Sequence, residues 1–334
     1  MNVLFSDETY SYLFPGGKQV HAQKLFRELN GLGISVTYEN WHDPSLRGDV
    51  VHFFGFNDVY KIRELKKRGY KLVYTHIVDG LTNLPAAQLI YHQLKNQLIQ
   101  RLPGKFDSMF PWRLLPLFDA IVYMHENDRR TAIRLYGVDP AKTRVIPHAV
   151  DALETWNGPA TAAPEPKYLV SVGSIVERKN PLFTARLCRK LNIPIRFMGH
   201  PFDEQSDYFR AFLREVDSTI VRYDGFTTEE QKAEILKNAS GFVLLSFGES
   251  GCISVYEAAA AGLPLLLSDL PWARGYEEPL QLFHCPPSDE SKAAQQLQAF
   301  YQAAQRGNSP SFTVHTWKEI AEQYADVYRH VLQR

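Results

Sequence analysis

The apolar positions of this chain fall into short clusters separated by longer amphipathic stretches. Asn2–Phe5, Ser35–Tyr38, Val50–Phe54, Lys71–Thr75, Ala120–Met124 and Thr143–Ile146 are apolar runs of strand length. Between several of them the period changes. Over Lys18–Leu32, for example, Val20, Ala22, Leu25, Phe26 and Leu29 recur at helical spacing and share one face. Strands alternating with helices predict an α/β protein with a parallel sheet covered on both sides. The pattern stops over residues 152–166, ALETWNGPATAAPEP, which carry no period and are rich in Ala, Pro and Gly, as a linker is. It restarts with Lys167–Val172, Ile195–Met198, Ile220–Tyr223, Gly241–Leu245 and Leu265–Ser268, again with helical patterns between. Two Rossmann-like, doubly wound domains follow, 1–151 and 167–316, and ligands are expected at the strands' carboxyl ends in a cleft between them. A last helix over Thr316–Leu332 has Trp317, Ile320, Ala321, Tyr324 and Tyr328 at helical spacing. It is read as packing at the domain junction or back on the first domain.

Composition narrows the class. A chain of 334 residues suits two domains of ordinary size. Its formal net charge is zero, so it lacks the basic field that nucleic-acid binding would want. The three cysteines, Cys188, Cys252 and Cys285, are odd in number, far apart and at no metal spacing, which predicts buried thiols in a reducing compartment. No apolar run reaches the ~20 residues of a membrane span. The N-terminal MNVLFSDETY lacks the charged and apolar regions of a signal peptide. A cytoplasmic location is expected, in solution or at the inner face of a membrane.

The densest chemistry lies in residues 247–269, FGESGCISVYEAAAAGLPLLLSD. Glu249 follows a strand, in a loop of small residues (Ser250, Gly251, Cys252, Ile253) that lets a ligand approach the backbone N–H groups. Ser254 is the expected N-cap of a helix over Val255–Ala261, whose N-terminus favours an anion. Glu257 lies one turn in and is expected to turn toward the same cleft. An anion site with two carboxylates that accept hydroxyl groups fits a nucleotide sugar. Two glutamates at this distance are more often surface charges, but the small-residue run, Gly-x-Pro and apolar strand behind them favour the functional reading.

A second constellation is VGSIVERKNPL, residues 172–182. It follows a strand and opens a helix, so Arg178 and Lys179 stand where a diphosphate would lie. A third, YLFPGGKQVHAQKLF, puts Gly16 and Gly17 ahead of the first long helix, where glycine permits close approach to phosphate. Gln19 breaks the Walker pattern there. His76 ends the strand of KLVYTHIVDG, His52 ends another and is read as a candidate for the acceptor side, and His148 lies at the expected domain junction. Residues 99–118, IQRLPGKFDSMFPWRLLPLF, mix basic, aromatic and apolar positions. Three readings stay open for them: an acceptor-side flap, a membrane-headgroup contact, and an ordinary packed loop.

The Glu-x7-Glu stretch resembles the signature of retaining glycosyltransferases of the GT-B fold, in particular glycosyltransferase family 4 (glycosyl transferases group 1). The resemblance covers nearly the whole chain and is stronger in the C-terminal half. It implies a GT-B architecture and a hexosyl transfer from a nucleotide diphosphate sugar, UDP-linked before GDP-linked, to a glycan, lipid-linked or small-molecule acceptor. It implies Glu249 on donor-sugar hydroxyls, Glu257 on the ribose, Arg178 and Lys179 on the diphosphate, and His76 near donor sugar and acceptor. Gly16 and Gly17 would lie over the diphosphate, and Gly251, Cys252, Ile253 and Ser254 would complete the donor loop. The family's usual loop is Glu-Gly-Phe-Gly-Leu-Pro where this chain has Glu-Ser-Gly-Cys-Ile-Ser, and Ser174 stands where an arginine is usual. Arg178 is therefore expected to do part of that arginine's work. No metal and no cofactor are expected, because cations and a helix N-terminus can balance the leaving group.

The competing readings are a GT-B epimerase or phosphorylase, a Rossmann dehydrogenase and a non-catalytic sugar-nucleotide-binding protein. A dehydrogenase would want GxGxxG with an acidic residue ~20 positions on, which neither half supplies. A binding protein would be expected to lose Glu249, Glu257 or Lys179, and all three are present.

Overall fold

The computed structural model describes residues 1–7, 16–43, 45–56, 58–77, 80–151, 167–276, 282–306 and 314–334. The linker expected at residues 152–166 lies outside them. Two compact units are present, one made of Met1–His148 with His315–Arg334, the other of Ala149–Val314.

In the first unit the chain runs β1 (Asn2–Ser6), α1 (Gly17–Gly31), β2 (Ser35–Tyr38), β3 (Val50–Phe53), α2 (Val59–Lys67), β4 (Lys71–Thr75), α3 (Ala86–Gln100), β5 (Ala120–Tyr123), α4 (Glu126–Tyr136) and β6 (Thr143–Val145). The sheet order is β2-β1-β3-β4-β5-β6, with every neighbour parallel. Every residue of β3 and β5 is buried, the signature of strands covered on both faces.

The second unit opens with the short β7 (Ala149–Val150) and continues β8 (Leu169–Val172), α5 (Pro181–Lys190), β9 (Ile195–Met198), α6 (Asp207–Leu213), β10 (Val221–Gly225), α7 (Glu229–Lys237), β11 (Gly241–Leu244), α8 (Ile253–Ala260), β12 (Leu265–Ser268), β13 (Leu282–Cys285) and α9 (Glu290–Ala304). Its sheet is again all parallel, in the order β10-β9-β8-β11-β12-β13. Strand β13 was not anticipated. Its four residues, with His284 among them, are too short a run to declare a period.

The chain closes with β14 (His315–Thr316) and α10 (Trp317–Leu332), both in the first unit. Thr316 and Glu319 form a capping box: the Glu319 N–H donates to Thr316 Oγ1 (3.3 Å) and the Thr316 N–H to Glu319 Oε2 (2.7 Å). Trp317, Ile320, Ala321, Tyr324 and Tyr328 are all buried, and α10 packs along α1.

Candidate active site

Strands β8 and β11 are neighbours at the middle of the second sheet, and the chain leaves them in opposite directions, to β9 on one side and β12 on the other. Such a reversal of strand order opens a crevice at the carboxyl edge of a parallel sheet. Arg178 and Lys179 arrive there on the loop after β8, and Glu249 on the loop after β11. The N–H of Phe247 donates to the Arg178 carbonyl (2.8 Å), which joins the two loops.

Glu249 is buried and fully engaged. It accepts from Ser246 Oγ at 2.6 Å and from Lys179 Nζ at 3.0 Å, and the Arg178 guanidinium stands 3.2 Å from its second oxygen. Arg178 also donates to the Gly248 carbonyl. Burial by itself would push the carboxyl up, but Lys179, Arg178 and the Ser246 hydroxyl outweigh it and hold Glu249 below the usual carboxylate range. Lys179 behaves in the same way: burial would lower it, while Cys252 and Glu249 raise it on balance, so it remains an ammonium. Among the described contacts two cations, the buried Lys179 and the half-exposed Arg178, face one carboxylate, so positive charge outnumbers negative there. The Lys179 stem lies across Gly173, where a Cβ would come within 2.8 Å of Lys179 Cδ, so only glycine leaves it room.

Helix α8 begins at Ile253 with Cys252 as its N-cap, two residues earlier than the spacing predicts, and Ser254 makes no cap. The Ser254 hydroxyl donates instead to the Val172 carbonyl (3.0 Å), pinning α8 to the end of β8, and its oxygen lies 3.1 Å from Cys252 Sγ. The Cys252 N–H donates to the Tyr276 hydroxyl at 3.1 Å. Burial raises the Cys252 thiol, and the neighbouring Lys179 only partly offsets that.

Glu257 does not share the Glu249 cluster. It is buried, and Lys232 of α7 donates to it at 2.6 Å while also pairing with Glu229 at 2.9 Å. Burial raises the Glu257 carboxyl and Lys232 only partly offsets that. The expected single pair of glutamates is thus two ion clusters of opposite surplus, positive around Glu249 and negative around Glu257. The reason is geometric: Glu257, the fifth residue of α8, falls on the face turned to α7, while Glu249 stays in the loop.

In the first unit Gly16 is the N-cap of α1 and Gly17 its first residue, beyond β1. Residues 8–15 of the same loop lie outside the described part. His76 directly follows β4. Its N–H donates to the Val122 carbonyl (2.9 Å), its Nδ1 is 3.3 Å from the Tyr123 hydroxyl, and its ring stacks on Tyr74 at 5.0 Å. Burial lowers its pKa to about 3, so the imidazole is neutral. His52 is not on any open side. It is buried in β3 with Tyr328 at 2.7 Å and Thr75 at 2.8 Å, and His148 Nδ1 meets His21 Nδ1 at 3.2 Å. Within 99–118, Leu114, Leu115 and Phe118 are buried, and Asp107 is buried against Arg63 and Arg113, while residues 100–105 are exposed, so the stretch is anchored at a few side chains and its first part lies open.

Residues 154–308 match the family described as glycosyl transferases group 1. The match takes in a little under half of the chain. The chain is accordingly a glycosyltransferase. It is 26% identical over 306 residues to the GDP-mannose:cellobiosyl-diphosphopolyprenol alpha-mannosyltransferase of Xanthomonas oryzae pv. oryzae, across 87% of this chain and 76% of that one. It is also 26% identical over 242 residues to the UDP-Gal:alpha-D-GlcNAc-diphosphoundecaprenol alpha-1,3-galactosyltransferase of Escherichia coli, across 64% of this chain and 60% of that one. Among solved structures it resembles sucrose-phosphate synthase from Thermosynechococcus elongatus, with a TM-score of 0.74, 15% identity and 99% of each chain covered. The fold of this glycosyltransferase is GT-B.

Three residues that contact the candidate site residues escaped the sequence reading. Ser246, three positions before Glu249, could have been found from its place at the strand end. Lys232 and Tyr276 carry no such signal, because each reaches its partner from an element with no fixed offset to it.

Proposed function

We propose that this glycosyltransferase moves a hexose from a nucleotide diphosphate sugar to a lipid-linked acceptor, with retention of anomeric configuration and without a metal. The carrying observation is the pair of charge clusters on the second unit. A surplus positive charge from Lys179 and Arg178, beside the N-terminus of α8, suits a diphosphate. A surplus negative charge around Glu257 and Glu229 suits the hydroxyl donors of a ribose.

In this reading the diphosphate competes with Glu249 for Lys179 and Arg178, which frees a carboxylate oxygen to accept from a donor-sugar hydroxyl. As the sugar–phosphate bond breaks, charge grows on the leaving oxygen, and the same two cations stabilise it more than they stabilise the ground state. Neutral His76 is available as a hydrogen-bond partner but not as a cation. Cys252, Gly251, Ile253 and Ser254 shape the donor pocket. The two curated relatives divide over the nucleotide, GDP in one and UDP in the other, and both names carry a lipid-linked acceptor. UDP is taken first and GDP second, and diphosphate-linked polyprenol saccharide is the acceptor class.

Calorimetry with bare nucleotide diphosphates and with intact donors tests the assignment. A charged hydrogen bond contributes about 1.5–3 kcal/mol, or roughly 10- to 150-fold in affinity. Glu257→Gln is expected to weaken bare UDP or GDP by about that factor. Glu249→Gln, which keeps an acceptor for Ser246 and frees both cations, is expected to bind bare nucleotide at least as tightly as the parent and to abolish most transfer. Binding in EDTA is expected to match binding with Mg2+. Equal losses for bare nucleotide and donor in both variants would overturn the assignment of the two glutamates.

A further inference from the structure

Helix α3 is inside out. It holds to its own unit with polar residues: Asn96 Nδ2 donates to the Leu135 carbonyl (2.9 Å) and Gln100 Nε2 to the Tyr136 carbonyl (2.7 Å), both at the end of α4. Asn96 is its one buried residue. The opposite face presents Ile90, Tyr91, Leu94 and Leu98 to solvent, between 49% and 65% exposed, and Leu102 continues the stripe. At 100° per residue Ile90, Leu94, Leu98 and Tyr91 span a stripe about 100° wide.

The charge around this stripe has one sign. Residues 80–106 contain Lys95, Arg101 and Lys105, all exposed, and not a single Asp or Glu. The whole chain is neutral, so the bias is local. A water-exposed helix would be expected to show the reverse arrangement, polar outward and apolar inward. Within 99–118 the exposed large apolar residues are Leu102 and Met109, so the broader apolar surface is the one on α3.

We propose that the outer face of α3 seats the protein on an anionic phospholipid bilayer. Ile90, Leu94 and Leu98 enter the acyl boundary, Tyr91 lies at headgroup level, and Lys95, Arg101 and Lys105 meet the lipid phosphates. A helix with an apolar stripe and cationic flanks lies in the plane of the interface, and each cation near an anionic surface strengthens the attachment. A second copy of the chain is a poor occupant, because a two-fold contact would set three cations against the same three. The inference stands on the helix alone and does not need the donor assignment, although a surface-bound enzyme suits a lipid-linked acceptor.

Co-sedimentation of the full chain with vesicles of phosphatidylcholine, with and without about one-third phosphatidylglycerol, tests it. Binding is expected only to the anionic vesicles, and to weaken when salt rises from about 0.1 M to about 1 M, where the Debye length falls to about 3 Å. The double variant Leu94→Gln, Leu98→Gln is expected to bind roughly tenfold or more weakly while melting like the parent. Lys95→Gln with Arg101→Gln is expected to flatten the salt dependence. Donor hydrolysis without vesicles is expected to be unchanged in both, which separates this inference from the catalytic one. Absence of binding to anionic vesicles, or equal binding by parent and leucine variant, would overturn it. So would a parent dimer, seen by light scattering, that the leucine variant returns to monomer.

Discussion

Lys179 and Glu249 hold each other in a place where neither could stay alone. Both side chains are nearly buried, at 14% and 6% exposure, so the desolvation of each is offset by the other. Removing one is therefore costly, on the order of 3–5 kcal/mol for a buried pair. Removing both is expected to cost less than the sum. A double-mutant cycle of Lys179→Met and Glu249→Gln, read by chemical denaturation, is expected to show a coupling of about 1–3 kcal/mol. A coupling near zero would mean that Lys179 turns to solvent in the free protein. Glu249 also ties stability to pH. Its folded pKa lies below the unfolded value, so its contribution is present above the ordinary carboxylate range and is lost as pH falls through the folded pKa. Glu257 runs the other way: its folded pKa is raised, so its contribution is present below the unfolded value and lost as pH rises.

At the scale of elements, the site depends on two loops brought against each other at the ends of β8 and β9. Gly199 follows β9 with φ of +131°, and a Cβ there would drive into the Gly173 carbonyl. Gly173, at φ +155°, meets only the flexible stem of Lys179. The two glycines therefore predict different losses. Gly199→Ala forces backbone to move and is expected to destabilise the second unit by more than the ~1–3 kcal/mol of backbone strain alone. Gly173→Ala is expected to cost less stability, because the lysine stem can swing aside, and to lose donor binding as that lysine leaves Glu249. Thermal melting and donor calorimetry on the two variants make the comparison. A Gly199→Ala protein that melts like the parent would contradict the close approach of the two loops.

For the molecule as a whole, the two units differ in how they meet acid. The first unit buries a chain of hydrogen-bonded groups that joins α1, β3, β4 and α10. It runs from His148 to His21, then Tyr324 (3.2 Å), Thr75 (3.1 Å), His52 and Tyr328. Burial lowers His52 and His76 to about 3, and burial with the facing His148 and His52 lowers His21. A histidine whose folded pKa is depressed contributes stability above the unfolded value of 6.5, and loses it as pH falls from there toward 3. At pH 5 each of His52 and His76 is expected to have withdrawn about 2 kcal/mol, at ~1.36 kcal/mol per unit. Denaturation of the full chain at pH 7.5 and pH 5 is expected to show the first unit failing first. His52→Gln is expected to shrink that pH dependence, and a stability unchanged between the two pH values would refute it.

Much was determined by the sequence itself. The alternation of four- and five-residue apolar runs with helical faces is a local property of solvent and covalent geometry. It yielded the strands of both sheets except β13, the first long helix and α10 without knowledge of any contact. The Glu-x7-Glu spacing, Arg178 and Lys179 were legible because each chemical group follows a strand end. What surrounds those groups was decided by tertiary structure. Lys232 reaches Glu257 from another helix, and Ser254 is held by the Val172 carbonyl instead of capping its helix. His52 is claimed by Tyr328, on a helix more than two hundred residues away, and by Thr75 of β4. Alpha-helix α3 shows the same limit from the other side. Its mixed pattern did not reveal which face was inner, because that depended on two carbonyls at the end of α4. Periodicity says that a face exists, and only packing says what it meets.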